Sequence, residues 1–351
     1  MSGGRAEGVQ ARIVFLGAAG GPTVAAHRHA IATAFVLGED VYLIDADLGV
    51  TSQYVDARLR LDRLRAVLIT HMHGDHVCDL FNLFMFGAQT VHEPRRGIRD
   101  QVTVIGPGPQ SAVRTGLQPY GTPPFAGVGG LLEHSYLGQA ATLNAWAIGK
   151  ADLRELIDLH EIQDAGPELS TVLDNGEVTI RAVVVPHLPT SYAYRIDSAA
   201  GSVVFSGDTG PSEAVADLAR GADVLAHEVM DIDAMIAEGF PEDLADVFKS
   251  VHTEVSDVGR IAAAAGVPTL ALNHFVSAPR TTAPQQWIKR ISEHYDGRII
   301  VAEDLMSLPV RRATGRRDLA DTHQAHRHLA LAPPRPIGEH AGPGACHASE
   351  R

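Results

Sequence analysis

The hexapeptide H-M-H-G-D-H at residues 71–76 constrains the fold more than any other feature, because it places four potential metal ligands within six positions. The apolar run 66–69 precedes it and predicts a buried strand that delivers these ligands to one point. Side chains alternate along an extended chain, so His71 and His73 point the same way and can share one metal ion. Asp75 opens a predicted helix, in which its side chain and that of the next histidine diverge by about 100°. The segment therefore fits two adjacent metal ions better than one.

Three more potential ligands, His187, Asp208 and His274, stand where apolar runs end further along the chain. Imidazole and carboxylate ligands favour Zn²⁺, and Mn²⁺ or Fe also suits them because geometry and availability decide between these ions. We expect all seven residues to fill two metal sites. One site comprises His71, His73 and His187, the other comprises Asp75, His76 and His274, and Asp208 bridges both.

Short apolar runs alternate with helical patterns in both halves of the chain, which predicts two β-sheets packed together with helices outside. Residues 9–310 form one predicted domain. Within it, 119–166 interrupts the pattern with glycine- and proline-rich turns and a helical stretch at 151–159. We interpret this segment as an inserted cap or as a subunit contact in a homo- or hetero-oligomer. The stretch 311–351 is rich in arginine, histidine, proline and glycine, lacks periodicity and is predicted to be a disordered tail.

The net charge of −13, with no lysine or arginine cluster before residue 311, argues against a nucleic-acid or membrane partner. Of the two cysteines, Cys78 and Cys346, the second falls in the predicted tail, so no disulfide framework is expected. Residues 2–8 lack the apolar core of a signal peptide, and no apolar stretch reaches membrane-spanning length. These features predict a cytoplasmic protein.

The ligand motif at 71–76, with the three later ligands, makes the chain resemble the metallo-β-lactamase-fold hydrolases. The resemblance extends from about Arg12 to Leu308. Within that superfamily the chain is most similar to the branch that holds ribonuclease Z, arylsulfatases and cyclic-nucleotide phosphodiesterases. The H-x-H-x-D-H signature carries the superfamily resemblance. Five motifs carry the resemblance to the branch: G-A-A-G-G-P at 17–22, S-G-D-T at 206–209, A-H-E-V at 226–229, S-V-H-T at 250–253 and N-H-F at 273–275. The resemblance implies an α/β fold of αββα layers, in which two mixed β-sheets pack face to face with helices outside.

The same resemblance assigns catalytic roles to two further residues. In the branch, the residue that matches His252 is a catalytic histidine, and the residue that matches Glu228 orients it. By position alone, His252 also fits an exposed residue before a helix, and Glu228 fits an ordinary salt bridge. Metal ions lower the pKa of water, so a hydroxide between two cations exists near neutral pH, and we expect Asp75 to orient it. His252 can then donate a proton to the departing oxygen, while Glu228 keeps it protonated.

Four residues near these motifs have weaker assignments. Asp45 ends a predicted strand and is expected to hydrogen-bond a metal-binding imidazole, with a turn carboxylate as the alternative. Relatives usually place glycine at the position of Asp47, so the local backbone or charge differs here. His27 and His29 form another H-x-H pair, but no apolar strand precedes them. We expect both histidines to be exposed rather than metal-bound.

The spacing of the ligands bears on the substrate. Ribonuclease Z carries its tRNA-binding arm between the positions that match His187 and Asp208, which are only 21 positions apart here, so that arm cannot fit. The acidic chain agrees, because a tRNA substrate favours a basic surface. Residues 80–86 are rich in aromatic and thioether groups. Most are expected in the core, and one or two can line a pocket for a small, partly apolar substrate.

We therefore expect a dinuclear zinc hydrolase that acts on a small, partly aromatic organic molecule: an ester, a lactone, an aryl sulfate or an activated aryl ether. A phosphodiesterase or ribonuclease Z-like nuclease is the first alternative, since it uses the same metal ions with added cations to clamp phosphate. A metal-binding subunit of a hetero-oligomeric hydrolase is the second alternative, with 119–166 as its interface.

Overall fold

A computed structural model of the chain describes residues 9–25, 27–89, 97–110, 126–146, 152–163, 169–277 and 282–312. Fifteen strands within these ranges form two mixed sheets. The first sheet has the strand order β15 (Ser307–Val310), β1 (Ala11–Gly17), β3 (Ala32–Leu37), β4 (Asp40–Ile44), β5 (Leu64–Leu68), β6 (Val102–Pro107) and β7 (Ile157–Ile162). The second has the order β14 (Arg298–Val301), β13 (Thr269–Val276), β12 (Val224–Val229), β11 (Gly201–Phe205), β10 (Ser191–Ser198), β9 (Val178–Val185) and β8 (Ser170–Asp174), and β2 (Ala19–Gly20) pairs with β13.

Helices lie along the chain between these strands. They are α1 (Val50–Asp56), α2 (Gly74–Val77), α3 (Leu80–Gly87), α4 (Gly127–Gly138), α5 (Ala140–Trp146), α6 (Glu213–Ala219), α7 (Ile232–Ala237), α8 (Ala245–Val251), α9 (Val255–Ala265) and α10 (Pro284–Ser292). Within the described ranges, no helix is long and apolar enough to cross a membrane.

Alternate residues of β1 enter two different cores, so both faces of the first sheet are buried. Phe15 belongs to the core that includes Tyr194 of the second sheet. Leu16 belongs to a second core, with Tyr54 of α1 and Phe84 of α3. Full burial of one such side chain contributes about 1.5–3 kcal/mol to stability, so both faces matter to the fold. The second sheet is covered in turn by α6, α9 and α10, whose apolar residues join the first core. These layers confirm the predicted αββα sandwich.

The parallel strands place their carboxyl ends at one edge. Strands β4 to β7 run parallel in the first sheet, and β11 to β14 run parallel in the second. Strand β9 has the same direction as β11, because both are antiparallel to β10. Residues that follow these strands can therefore meet at one end of the sandwich.

Two predictions of helices are wrong. The single helix expected from Asp75 is broken into α2 and α3, because the amide of Asp79 donates to the carbonyl of Ala46 (3.0 Å) rather than continuing a helix. The helix predicted at 151–159 is a short 3₁₀ turn at Leu153–Leu156 followed by β7, which pairs with β6 along six residues. Pairing with a neighbouring strand outweighs local propensity here. The predicted tail lies outside the described residues from 313 onward.

Candidate metal centre

Four strands of the two sheets deliver the predicted ligands to one edge of the sandwich. His71 and His73 follow β5, His187 follows β9, Asp208 follows β11, and His274 lies near the end of β13. Asp75 and His76 lie in α2, which begins directly after His73. The structure thus brings all seven residues together, although they are spread over some 200 positions of the chain.

His71, His73 and His187 form one triad. Nδ1 of His73 lies 2.9 Å from Nε2 of His71 and 3.2 Å from Nε2 of His187. Ligand atoms around a tetrahedral zinc ion lie roughly 3.3 Å apart. Burial lowers the pKa of His187 to about 4 and lowers that of His71 well below its usual value, which favours the neutral imidazole that binds metals. The triad therefore has the spacing and the charge state of a metal site.

Asp75, His76 and His274 form a second triad. The Nε2 atoms of His76 and His274 lie 3.1 Å apart, and each is 3.6 Å from Oδ2 of Asp75. Burial opposes a charge on His76, but the carboxylates of Asp208 and Asp45 outweigh it and raise its pKa well above the usual value. The carboxylates around His76 therefore favour a positive charge at this position, which a metal ion also supplies.

Asp208 lies between the two triads. Its Oδ1 is 3.2 Å from Nε2 of His274 and 3.4 Å from Nε2 of His76, while Oδ2 is 3.9 Å from Nε2 of His71. Oδ1 is fully buried and has no hydrogen-bond partner among the described residues. A buried carboxylate oxygen without a donor is costly, so its position among imidazole nitrogens fits a cation. The donor set around Asp208 therefore fits metal binding.

Hydrogen bonds behind the ligands fix their orientation. Nδ1 of His76 donates to Oδ2 of Asp45 (2.9 Å), and Asp45 is held in turn by the amide and hydroxyl of Thr70 (2.8 and 3.0 Å to Oδ1). Nδ1 of His187 donates to the carbonyl of Val251 (2.8 Å). The expected contact between Asp45 and an imidazole is thereby confirmed, and it turns Nε2 of His76 toward the centre.

His252 and Glu228 form a buried pair beside the centre. Nδ1 of His252 lies 3.1 Å from both carboxylate oxygens of Glu228 and 3.9 Å from Oδ2 of Asp208. The amide of Thr209 donates to Oε1 of Glu228 (2.6 Å) and holds that carboxylate in place. Burial opposes the charge on His252, but Glu228 outweighs it and raises the pKa of His252 to about 9. The pair therefore keeps a proton available near neutral pH.

A glycine-rich loop after β1 packs directly on two of the ligands. A Cβ atom at Gly20 would clash with the ring of His274, and one at Gly21 would clash with the carboxylate of Asp75. The amide of Gly21 donates to Oδ2 of Asp75 (2.9 Å). Burial opposes ionisation of Asp75, but the hydrogen bond from His274 and nearby positive charges lower its pKa below the usual range. The loop thus fixes an ionised carboxylate at the centre.

The same loop lines a cavity of 680 Å³ that opens beside Asp75. His27 and His29 line this cavity and are exposed, and they belong to none of the groups that could hold a metal ion among the described residues. In contrast, Leu80, Phe81, Leu83, Phe84 and Met85 are buried in the second core. No residue of 80–86 lines this cavity.

Sequence reasoning missed two contacts that position functional residues. Thr209 directly follows the ligand Asp208, but nothing in the pattern indicates that its amide reaches Glu228. The motif at 17–22 indicated the glycine loop, although only the structure shows that Gly20 and Gly21 lie against ligand side chains.

The sequence of this chain is similar to those of known proteins. A model of the protein family described as "Metallo-beta-lactamase superfamily" matches residues 30–84. The ribonuclease Z of Mycobacterium bovis (strain BCG / Pasteur 1173P2) is 30% identical over 286 residues, which cover 78% of this chain and 89% of that protein. The ribonuclease Z of Mycolicibacterium paratuberculosis (strain ATCC BAA-968 / K-10) is 30% identical over 304 residues, which cover 83% of this chain and 95% of that protein.

Two solved structures have the same fold. The metallo-beta-lactamase fold protein YhfI from Bacillus subtilis has a TM-score of 0.59 and 20% identity, and covers 86% of this chain and 99% of its own. The short form of human tRNase Z has a TM-score of 0.58 and 17% identity, and covers 85% of this chain and 99% of its own.

The relatives correct two expectations about the substrate. A small organic substrate and the absence of a nucleic-acid partner were both predicted, and similarity to ribonucleases along most of the chain contradicts both. Three features of the sequence led to these predictions, and none of them determines the substrate. Phe81 and Phe84 lie in the core, and Phe86 is exposed but does not line the cavity. The short spacing between His187 and Asp208 concerns one arm only. Net charge describes the whole chain and not the surface around the site.

Proposed function

The chain belongs to the metallo-β-lactamase superfamily and to its ribonuclease Z branch, as a metal-dependent hydrolase, and from this premise we propose that it hydrolyses phosphodiester bonds in RNA. The observation that carries the proposal is the similarity to ribonuclease Z over most of both chains. The seven ligands and the buried pair of His252 and Glu228 support it, because they supply the parts that hydrolysis of a phosphodiester requires.

We propose two Zn²⁺ as the resident ions. His71, His73 and His187 would hold one ion, Asp75, His76 and His274 would hold the other, and Asp208 would contact both. Imidazole-rich sets of this kind favour zinc over Mg²⁺, which prefers oxygen ligands. Metal ions bound there lower the pKa of water and stabilise the negative charge that develops on the phosphate.

The chain's own residues orient the reaction and supply the proton. Asp75 is half-buried and ionised, so it can hold the attacking water by accepting its hydrogen bond. Water's oxygen bonds to phosphorus while the bond from phosphorus to one ribose oxygen breaks. His252 donates its proton to that departing oxygen from Nε2, since Nδ1 is engaged by Glu228. A neutral leaving hydroxyl is far more stable than the alkoxide that would otherwise depart.

The test is a comparison of substrate classes with the isolated chain loaded with Zn²⁺. Substrates are a tRNA precursor extended at both ends, DNA of the same sequence, a nitrophenyl ester and nitrophenyl sulfate. We expect cleavage of the RNA at a defined position, mapped from both labelled ends. Rapid hydrolysis of the ester or sulfate with intact RNA would overturn the proposal. Activity of the chain alone also excludes a role as a mere metal-binding subunit.

Two variants make the test specific to the site. His252→Ala should slow RNA cleavage by about 10²- to 10⁴-fold, the usual contribution of a general acid, and leave the metal content unchanged. His160→Ala is the matched control, because His160 is exposed and, among the residues that the structure describes, pairs with Asp158 of the same strand β7. Equal rates for the two variants would show that His252 has no part in proton transfer.

A further inference from the structure

Asp47 is a buried carboxylate that lines the cavity beside the metal centre. Its residue is 6% exposed, and it shares the cavity wall with Leu48, Cys78 and Asp75. The metal centre as described makes no use of Asp47. Leu48, whose residue is 58% exposed, presents an apolar surface next to it. A buried acceptor beside an apolar wall can fix the orientation of a ligand that carries a polar group.

The hydrogen bonds of Asp47 occupy only one of its oxygens. Oδ1 accepts from the amide of Leu48 (2.5 Å) and from Sγ of Cys78 (3.0 Å). Two donors on Oδ1 hold the carboxylate in a fixed orientation. Oδ2 has no partner in the described part of the chain and remains for a ligand that donates a hydrogen bond.

The position of Asp47 relative to Asp75 limits what that ligand can be. Cys78 follows Asp75 by three residues, and helical geometry continues to Cys78, so the two side chains share one helix face with Cβ atoms about 5–6 Å apart. The carboxylate of Asp47, 3.0 Å from Sγ of Cys78, therefore lies close to Asp75 and to the edge of the centre. A phosphate there would be repelled by Asp47 and Asp75, whereas a hydroxyl would be attracted.

We propose that Oδ2 of Asp47 accepts a hydrogen bond from the 2′-hydroxyl of a ribose beside the scissile phosphate, and so determines specificity for RNA over DNA. The inference rests on the proposed function, since it names the group of the RNA that the site reads. Carboxylates recognise ribose hydroxyls in this way elsewhere, and the 2′-hydroxyl is the group that separates RNA from DNA. Asp47 is a specificity residue and takes no part in bond breaking.

The experiment measures, for each enzyme variant, how much faster it cleaves RNA that has the 2′-hydroxyl than RNA that lacks it at one position. The cleaved RNA is compared with RNAs that carry a single 2′-deoxynucleotide on either side of the cleavage position. We expect the native chain to cleave the all-ribose RNA roughly tenfold to a hundredfold faster than one of the two deoxy-substituted RNAs. A rate ratio of this size corresponds to the free energy of one hydrogen bond to a charged group. In Asp47→Ala this ratio should fall below about two, through slower cleavage of the all-ribose RNA.

Two more variants keep the outcome decisive. Asp47→Asn keeps the side-chain volume and should give an intermediate ratio, whereas Asp56→Ala, an exposed carboxylate at the end of α1, should keep the native ratio. Within one variant the ratio cancels any loss of folded protein, and comparison of the ratios between variants cancels the intrinsic effect of the deoxy substitution. A native ratio in Asp47→Ala would overturn the inference, as would a defect that follows the identity of the base. Failure of the native chain to cleave RNA would instead remove the proposed function and the inference with it.

Discussion

Nδ1 of His252 lies equally close, at 3.1 Å, to both carboxylate oxygens of Glu228 in a pair that the sandwich buries beside Asp208. Burial alone would lower the pKa of His252, yet the Glu228 charge raises it to about 9. The protonated form therefore predominates below that pH and is lost as the pH rises through it. Among the charges that keep His252 protonated across the neutral range, that of Glu228 contributes most.

Glu228→Gln should therefore move the alkaline limb of the pH–rate profile for RNA cleavage. In the native chain we expect turnover to fall as the pH rises through about 9. Without the carboxylate, burial of the imidazole is offset only by the charges of Asp208 and Asp75, so the limb should move to lower pH. Turnover at pH 8 should then fall roughly 10- to 100-fold. Glu155→Gln, at an exposed glutamate, is the control, and an unmoved limb in Glu228→Gln would contradict the role given to the pair.

The parts of the site that were predictable from sequence depend on local geometry. Alternation along β5 gave the common direction of His71 and His73, and a ligand after each of several apolar runs indicated convergence at one sheet edge. Hydrogen bonds from backbone amides to distant segments were not predictable. The hydrogen bond from Asp79 to Ala46 that ends α2, and that from Thr209 to Glu228, join residues whose neighbourhood exists only in the folded sandwich. The prediction of the substrate was wrong for a similar reason. The charge of the surface around the site depends on which side chains the fold brings there, and the net charge of the chain does not give this.

Asp45→Asn should weaken metal binding without disturbing the fold. Asp45 accepts from Nδ1 of His76 at 2.9 Å, and this bond turns Nε2 toward the centre. An amide at this position is a weaker acceptor and lacks one of the two carboxylate charges, those of Asp208 and Asp45, that raise the pKa of His76. Loss of such an orienting carboxylate typically costs about 10- to 100-fold in metal affinity or activity.

Competition with a chromophoric chelator measures the affinity of the Asp45→Asn protein for Zn²⁺. Asp40→Asn is the matched control, since Asp40 starts the same strand and pairs with Arg65 at the opposite end. Equal zinc affinity in the two variants would show that Asp45 only holds the turn around Thr70.

Removing metal from the native chain should lower its free energy of unfolding. The centre holds Asp208 with an unpartnered buried oxygen and imidazole nitrogens that face each other, an arrangement that is unfavourable without a cation. With free Zn²⁺ at about a thousand times the dissociation constant, one bound ion stabilises the native state by about 4 kcal/mol. Urea denaturation with Zn²⁺ and after chelation gives the difference directly. In Asp208→Ala the increment should be less than about half, and an identical increment would argue against Asp208 as a shared ligand.

Gly21→Ala should lower turnover although residue 21 is not a predicted metal ligand, because the new Cβ would occupy the space of the Asp75 carboxylate. Asp75 must then rotate away and lose the hydrogen bond from the residue 21 amide, which is 2.9 Å long in the native chain. We expect turnover to fall by about 10²-fold or more, since small displacements of a positioning group have effects of this size. Gly138→Ala, where an added Cβ meets no atom within 4 Å, should leave turnover unchanged. Native turnover in Gly21→Ala would mean that the glycine loop moves and the Asp75 carboxylate does not. The contact with the loop would then not determine the position of Asp75.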